Sequence, residues 1–204
     1  MLAAIDFETT GTVKGFPNEP WQVGICTFDD ETGELCELWE SYLKVDPDRP
    51  FSRHAPGRWA QIREELASSP SFYEIWPELA RRTIGIGLVA HNASTERTIL
   101  AHYAPLTRFG PWFDTLKIAR ELCGVSGMAK TPDCRLESLC RRFSVDNVPL
   151  KGRTWHDALF DAAATALLFM KLPRRNELGI RNFSTGWTGF RQDGQNLGRM
   201  DGNP

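Results

Sequence analysis

Short runs of apolar and β-branched residues alternate along this chain with segments whose apolar residues recur at helical spacing. Runs of the first kind indicate strands when polar turn residues bound them, and segments of the second kind indicate amphipathic helices. Strands are predicted at residues 2–9, 21–28, 35–45, 87–90 and 112–115. Helices are predicted at residues 58–66, 71–82, 91–100, 116–123, 136–143 and 156–170.

The starts of two predicted helices can be assigned to particular residues. Ser71 caps the second helix, and Pro77 is expected in or near its first turn. The third helix is expected to begin with Asn92 or Ser94 as its cap, which places Glu96 in the first turn, where the helix dipole favours a carboxylate.

The order of the elements predicts an α/β fold. Three strands precede the first helix, and the remaining strands alternate with helices, so we expect a mixed five-stranded sheet whose first three strands are antiparallel, with helices against its faces. Residues 1–173 are predicted to form one domain. Residues 174–204 lose the periodic pattern and are predicted to be a tail or a docking arm.

Composition narrows the class of protein. The chain has 204 residues, 41% of them hydrophobic, which is enough for a sizeable core. No apolar run is long enough for a membrane span, so no membrane contact and a cytoplasmic location are expected. A net charge of −2 argues against a basic footprint over the whole protein, and five cysteines without a C-x-x-C pair argue against a disulfide framework or a zinc ribbon.

Two carboxylates end the first predicted strand. Because successive side chains of a strand point to opposite faces, Asp6 and Glu8 share one face while Phe7 takes the other. Oxygen ligands placed together in this way suit Mg²⁺ or Mn²⁺, whereas the alternative is a solvated edge strand with its acidic residues facing water.

Three further candidates lie at strand ends or helix starts. They are Glu96, His156 and Asp161. Together with Asp6 and Glu8 they outline a carboxylate cluster with one histidine. The alternative for Glu96 is a charge that favours the start of its helix, and for His156 it is a capping contact.

Four motifs occur in one order along the chain: D-F-E-T-T-G, V-A-H-N-A, R-L-E-S-L-C-R-R-F and H-D-A-L-F-D-A-A-A-T-A. From about residue 1 to residue 171 they resemble the DEDDh 3′–5′ exonuclease family, which includes RNase T and the proofreading subunit of bacterial DNA polymerase III. The resemblance implies an RNase H-like fold, two bound Mg²⁺ or Mn²⁺ ions and removal of nucleotides from a 3′ end.

The resemblance also implies a role for each candidate. Asp6 would bridge the two ions, Glu8 and Asp161 would complete one ion site, and His156 would be the general base. One departure concerns Glu96, which stands where the family has an aspartate, after Thr95 in place of an aromatic residue. Either an active enzyme with an altered Mn²⁺ preference or a weak one is consistent with it, and the four matching positions favour the active enzyme.

Substrate contacts follow from the same resemblance. They are expected at Phe7, Thr9, His91 and Asn92, although the strand alternation equally places Phe7 in the core. Three basic groups, at residues 141–142, 151 and 153, and 174–175, are candidates for phosphate contacts or for solvated surface.

Two functions of different classes remain. The first is a metal-dependent exonuclease that hydrolyses single-stranded DNA or RNA ends to nucleoside 5′-monophosphates. The second is a catalytically weak 3′-end binding module that docks on a polymerase or an RNA-processing partner through residues 174–204. A homodimer is also compatible with the resemblance.

Overall fold

A five-stranded mixed sheet forms the centre of the molecule. In the computed structural model the described residues are 1–125, 133–145 and 147–173. The sheet contains the strands β1 (Leu2–Thr9), β2 (Pro20–Phe28), β3 (Leu35–Tyr42), β4 (Gly87–Ala90) and β5 (Trp112–Asp114). Its order is β3-β2-β1-β4-β5, with β1, β2 and β3 antiparallel and with β4 and β5 parallel to β1. This is the predicted RNase H-like arrangement, and the prediction of fold class is confirmed.

Helices cover both faces of this sheet. They are α1 (Arg63–Ser68), α2 (Phe72–Thr83), α3 (Ser94–Tyr103), α4 (Thr115–Val125), α5 (Leu136–Arg142) and α6 (Ala158–Lys171). Apolar side chains of α2 and α3 pack with Ala3, Ile5 and Phe7 on one face, and alanines of α6 pack with Ala4 and Cys26 on the other. Among the described residues, no helix is both long and apolar enough to cross a membrane.

The predicted start of the first helix was wrong, whereas the predicted cap of the second helix was right. The first helix begins at Arg63 rather than at residue 58, because the preceding residues form tight turns, in which the Gln61 N–H donates to the Arg58 carbonyl at 3.0 Å. In α2, Ser71 and Glu74 form the capping box expected of a serine cap, so the helix starts at Phe72. Pro77 therefore lies inside the helix, beyond its first turn.

The contact between α6 and β2 is unusually close. A Cβ atom added at Gly24 of β2 would lie 2.3 Å from the carbonyl carbon and oxygen of Ala158, so only glycine permits this approach. Gly24 is also the cross-strand partner of Asp6. The first turn of α6 is therefore held directly against the part of the sheet that carries the first candidate carboxylate.

Candidate active site

Strand β1 contributes Asp6 and Glu8 to the face of the sheet that α6 covers. Their cross-strand partners on β2 are Gly24 and Gln22. Glu8 is buried, and Asp6 is partly buried at the edge of a cleft. The ring of Phe7 lies on the opposite face, buried in the core, with its centroid 6.5 Å from that of Phe72. The sequence allowed either a substrate contact or a core position for Phe7, and the structure places it in the core.

Helix α6 and the segment before it contribute Asp161 and His156. Asp157 is the N-cap of the helix and accepts a hydrogen bond from the Phe160 N–H at 3.1 Å, so Asp161 falls in the first turn. The backbone of His156 has a φ of 67°, and its N–H donates to Asp161 Oδ2 at 3.1 Å. Possible ligand atoms of Glu8, His156 and Asp161 all lie within 4.8 Å of one another.

Glu96 reaches the same region from α3, where its side chain is only 3% exposed. The predicted caps of this helix were wrong, because the N-cap is Ala93, without a side-chain cap bond, and the Ser94 hydroxyl donates to Asn92 Oδ1 instead. Asp114 of β5 holds this helix start, since it accepts hydrogen bonds from the N–H groups of Asn92 and Ala93, each at 3.2 Å.

Burial and neighbouring carboxylates raise the pKa values of all four carboxyl groups. Burial first, and then the charges of Asp161 and Asp157, raise the pKa of Glu8 to about 8. Burial likewise raises the pKa of Glu96 to about 8 and that of Asp161 to about 7. The pKa of Asp6 lies well above its ordinary value because of burial and the charges of the other three groups. Without a cation, part of the cluster must therefore be protonated near neutral pH.

Within the part of the chain that the structure describes, two buried oxygens of the cluster have no hydrogen-bond partner: Oε2 of Glu96 and Oδ1 of Asp161. A buried carboxylate oxygen without a partner is costly, and a bound cation would remove that cost. The donor set of carboxylate oxygens with one histidine fits a hard divalent ion such as Mg²⁺ or Mn²⁺. The residues present therefore fit the metal that the sequence predicts.

A cleft of about 570 Å³ opens beside this cluster. Asp6, His156 and Asp161 lie on one side of it, and His91 and Arg120 are among the other lining residues. His91 Nδ1 lies 2.9 Å from the Thr115 hydroxyl oxygen, and burial lowers the pKa of its imidazole, which favours the neutral ring. Space for a nucleotide thus adjoins the carboxylates.

The other predicted substrate and phosphate contacts lie in different settings. Thr9 is half-buried at the end of β1, and Asn92 is exposed with a φ of 71°. Arg141 pairs with Glu137, and Arg153 pairs with both Glu40 and Asp157. The basic pair at residues 174–175 and the whole segment 174–204 lie outside the described residues.

Three polar residues around the site were not anticipated from the sequence. Asp114 has a recognisable signal, since an aspartate at the end of a strand and just before a helix is typical of helix N-termini. Asp157 has the same signal at the start of α6. Gln22 has no such signal, because a single glutamine in an apolar strand does not reveal which side chains surround it.

Comparison with known proteins gives one consistent family. The RNase T exonuclease family matches residues 3–169. The chain is 30% identical to the DNA polymerase III subunit epsilon of Rickettsia conorii over 140 residues, which cover 64% of this chain and 56% of that protein. It is 26% identical to the PolC-type DNA polymerase III of Caldanaerobacter subterraneus over 187 residues, 90% of this chain but 12% of that protein.

Among solved structures, one described as exonuclease X in complex with 5′ overhanging duplex DNA superimposes with a TM-score of 0.64 and 26% identity. The alignment covers 88% of this chain and 94% of that one. The chain therefore spans only a small part of the PolC-type relative and just over half of the epsilon relative, but nearly all of this compact exonuclease.

Proposed function

Because the chain belongs to the DEDDh branch of the RNase T exonuclease family, we propose that it is a metal-dependent 3′–5′ exonuclease acting on single-stranded DNA or RNA ends. The observation that carries the proposal is the convergence of Asp6, Glu8, Glu96 and Asp161 from three elements, with His156 beside them at a cleft. The products would be nucleoside 5′-monophosphates.

The metal would be held by the four carboxylates. Glu96 Oε2 and Asp161 Oδ1 have no hydrogen-bond partner among the described residues, and a cation would stabilise these two oxygens most. When bound, two such ions stabilise the attacking and leaving oxygens of an in-line displacement at phosphorus. Two ions fit the family pattern, and the choice between Mg²⁺ and Mn²⁺ is left to the experiment below.

His156 would be the general base. Its side chain is exposed and its backbone N–H donates to Asp161, so the imidazole can face both the carboxylates and solvent water. It would take a proton from the attacking water as the new P–O bond forms. The bond from phosphorus to the 3′ oxygen of the preceding nucleotide breaks, and that oxygen receives a proton from water.

Glu96 in place of an aspartate fits an active site under this proposal. Its carboxylate lies close enough to Glu8 for the charge of Glu8 to raise its pKa. The start of α3 is fixed by Asp114 of β5 rather than by a side-chain cap of its own, so the position of Glu96 depends on β5. We therefore expect Glu96 to bind metal as the family aspartate would.

DNA is the substrate to test first. The relatives described above are DNA polymerase III proteins, and one solved neighbour is described as bound to DNA. A polymerase is accordingly the partner class that we propose, and a homodimer stays a prediction. RNA remains in the experiment because the described residues of the cleft give no reason to exclude a 2′-hydroxyl.

The test uses the full chain with 5′-labelled DNA and RNA strands of the same sequence, in Mg²⁺, Mn²⁺ or EDTA. We expect a ladder that shortens from the 3′ end, needs metal, and forms at only a small residual rate in His156→Ala. His102→Ala is the matched control, because this histidine lies in the last turn of α3 and should leave the rate unchanged. Strand binding without cleavage in either metal would instead support the binding-module alternative.

A further inference from the structure

We propose that Gln22 is a positioning residue for His156. Its side chain binds the carboxylates of Glu40 and Asp157, and these contacts hold the segment before α6 in its reactive arrangement. This inference rests on the proposed function, in which His156 is the general base. Gln22 belongs to β2, lies opposite Glu8 in the sheet and is only 1% exposed.

The side-chain amide of Gln22 is fully used. Its Nε2 donates to Glu40 Oε2 at 3.1 Å and to Asp157 Oδ2 at 3.4 Å, and its Oε1 accepts from the Ala158 N–H at 3.2 Å. Two donors on one atom and an acceptor on the other are a combination that only an amide side chain offers. The contacts reach the two residues that directly follow His156.

Arg153, which precedes His156 in the chain, binds the same two carboxylates. Its Nη1 donates to Glu40 Oε2 at 2.6 Å and to Asp157 Oδ1 at 2.8 Å, and its Nη2 pairs with Glu40 Oε1. Glu40 belongs to β3, so the residues on both sides of His156 are tied to β2 and β3 through one buried or half-buried network.

His156 needs such support because its own contacts do not fix it. Its φ of 67° lies in the left-handed region, which costs a residue with a Cβ some conformational energy. Within the described residues, its imidazole makes no hydrogen bond, and only its N–H is held, by Asp161. The direction of the ring therefore depends on the backbone, and the backbone conformation depends on the contacts of Gln22 and Arg153.

A cycle of four proteins tests the proposal: the unmodified chain, Gln22→Leu, His156→Ala and the double variant. Gln22→Leu should lower kcat by about 10- to 100-fold, since small misplacements of a catalytic group cost this much, while KM changes by less than about threefold. In the His156→Ala background, Gln22→Leu should cause no further loss, because the group it positions is gone.

The control variant removes a buried set of polar contacts that also joins a helix to β3 but lies far from the site. Arg82 is 6% exposed and joins Glu37 of β3 to Glu78 of α2, so Arg82→Met should lower thermal stability and leave kcat unchanged. Arg153→Lys keeps the positive charge but loses the forked donor geometry of the guanidinium group. Its kcat should therefore lie between that of the unmodified chain and that of Gln22→Leu.

A second readout needs neither metal nor activity. In metal-free protein, amide hydrogen exchange of a peptide covering residues 151–157 should be faster in Gln22→Leu and unchanged in Arg82→Met. Gln22→Glu, which is nearly isosteric but replaces the donors that face Glu40 and Asp157, should have the same effect and serves if the leucine variant fails to fold.

Each contrary result has its own meaning. Equal losses from Gln22→Leu in both backgrounds would show that Gln22 acts through the carboxylates or the fold, and would overturn the positioning role. Inactive His156→Ala together with fully active, folded Gln22 variants would overturn this inference alone. Full activity in His156→Ala would remove the proposed general base and this inference with it.

Discussion

Gly24 of β2 and Ala158 of α6 approach so closely that a Cβ on the glycine would lie 2.3 Å from the Ala158 carbonyl. Real Cβ atoms do not approach a backbone this closely, so any larger residue must push the helix away from the sheet. Asp161 lies one turn further along the same helix, and Asp6 lies across from Gly24. One glycine therefore sets the separation between two of the candidate carboxylates.

Gly24→Ala is expected to abolish most of the activity. The added methyl group displaces the first turn of α6, and we expect at least a 100-fold loss of rate together with a destabilisation of about 1–3 kcal/mol. Exonuclease assays and denaturant unfolding measure the two effects. Gly85→Ala is the control, because Gly85 has a φ of 81° with open space around it and should lose stability without losing rate. An active Gly24→Ala enzyme would refute the dependence on this contact.

Substitution of Glu96 separates an enzyme from a binding module. Glu96→Gln keeps the size of the side chain but removes its charge, and we expect a loss of rate of about 100-fold or more. Glu96→Asp, which supplies the family's residue, should stay within about tenfold of the unmodified rate. The rates are measured in Mg²⁺ and in Mn²⁺. Equal rates for all three proteins would mean that Glu96 does not take part in catalysis.

The stability of the metal-free protein should fall as the pH rises from about 4.5 to about 8. Glu8 has its pKa raised from 4.5 to about 8 in the folded protein, so the folded state binds a proton more tightly than the unfolded state does. Glu96 and Asp161 act in the same direction. Folding stability is therefore greatest at the acidic end of this window and is lost as the pH passes through the folded pKa values.

Divalent metal should reverse this trend. Mg²⁺ or Mn²⁺ binds the ionised carboxylates, so added metal should raise the Tm more at pH 8.5 than at pH 5. Thermal unfolding across the two pH values, with metal or with EDTA, measures the effect. Glu8→Gln should flatten the pH dependence. A metal-induced rise in Tm that is the same at both pH values would contradict binding to this cluster.

Asp114→Ala should weaken both the fold and the site. Its carboxylate accepts hydrogen bonds from the N–H groups of Asn92, Ala93, Leu116 and Lys117, so one side chain holds the starts of α3 and α4 together. We expect a loss of about 1–3 kcal/mol in the free energy of unfolding and a lower rate, because Glu96 is displaced.

Asp29→Ala is the matched control for Asp114. Asp29 accepts hydrogen bonds from the N–H groups of Glu31 and Thr32 at 2.8 and 2.9 Å, but it does so in an exposed turn remote from the site. It should cost less stability than Asp114→Ala and leave the rate unchanged. A rate unaffected by Asp114→Ala in a folded protein would show that the position of Glu96 does not depend on this aspartate.

Local pattern was enough to predict the sheet and the face that carries the first carboxylates. The alternation of Asp6, Phe7 and Glu8 requires only strand geometry, and the structure has it. The caps of α3 could not be predicted because the group that holds this helix start is Asp114, which comes from another strand. The contacts of Gln22 could not be predicted for a similar reason: its partners are 18 and 135 residues away in the chain.

The candidate site draws its residues from both ends of the domain, because Asp6 and Glu8 lie in the first strand and His156 and Asp161 lie at the start of the last helix. A nascent chain that has not been synthesised beyond residue 161 therefore lacks part of the reaction centre, whatever the earlier strands have formed. Under the proposed function, a chain that is still being synthesised would gain its nuclease activity only when the domain is nearly complete.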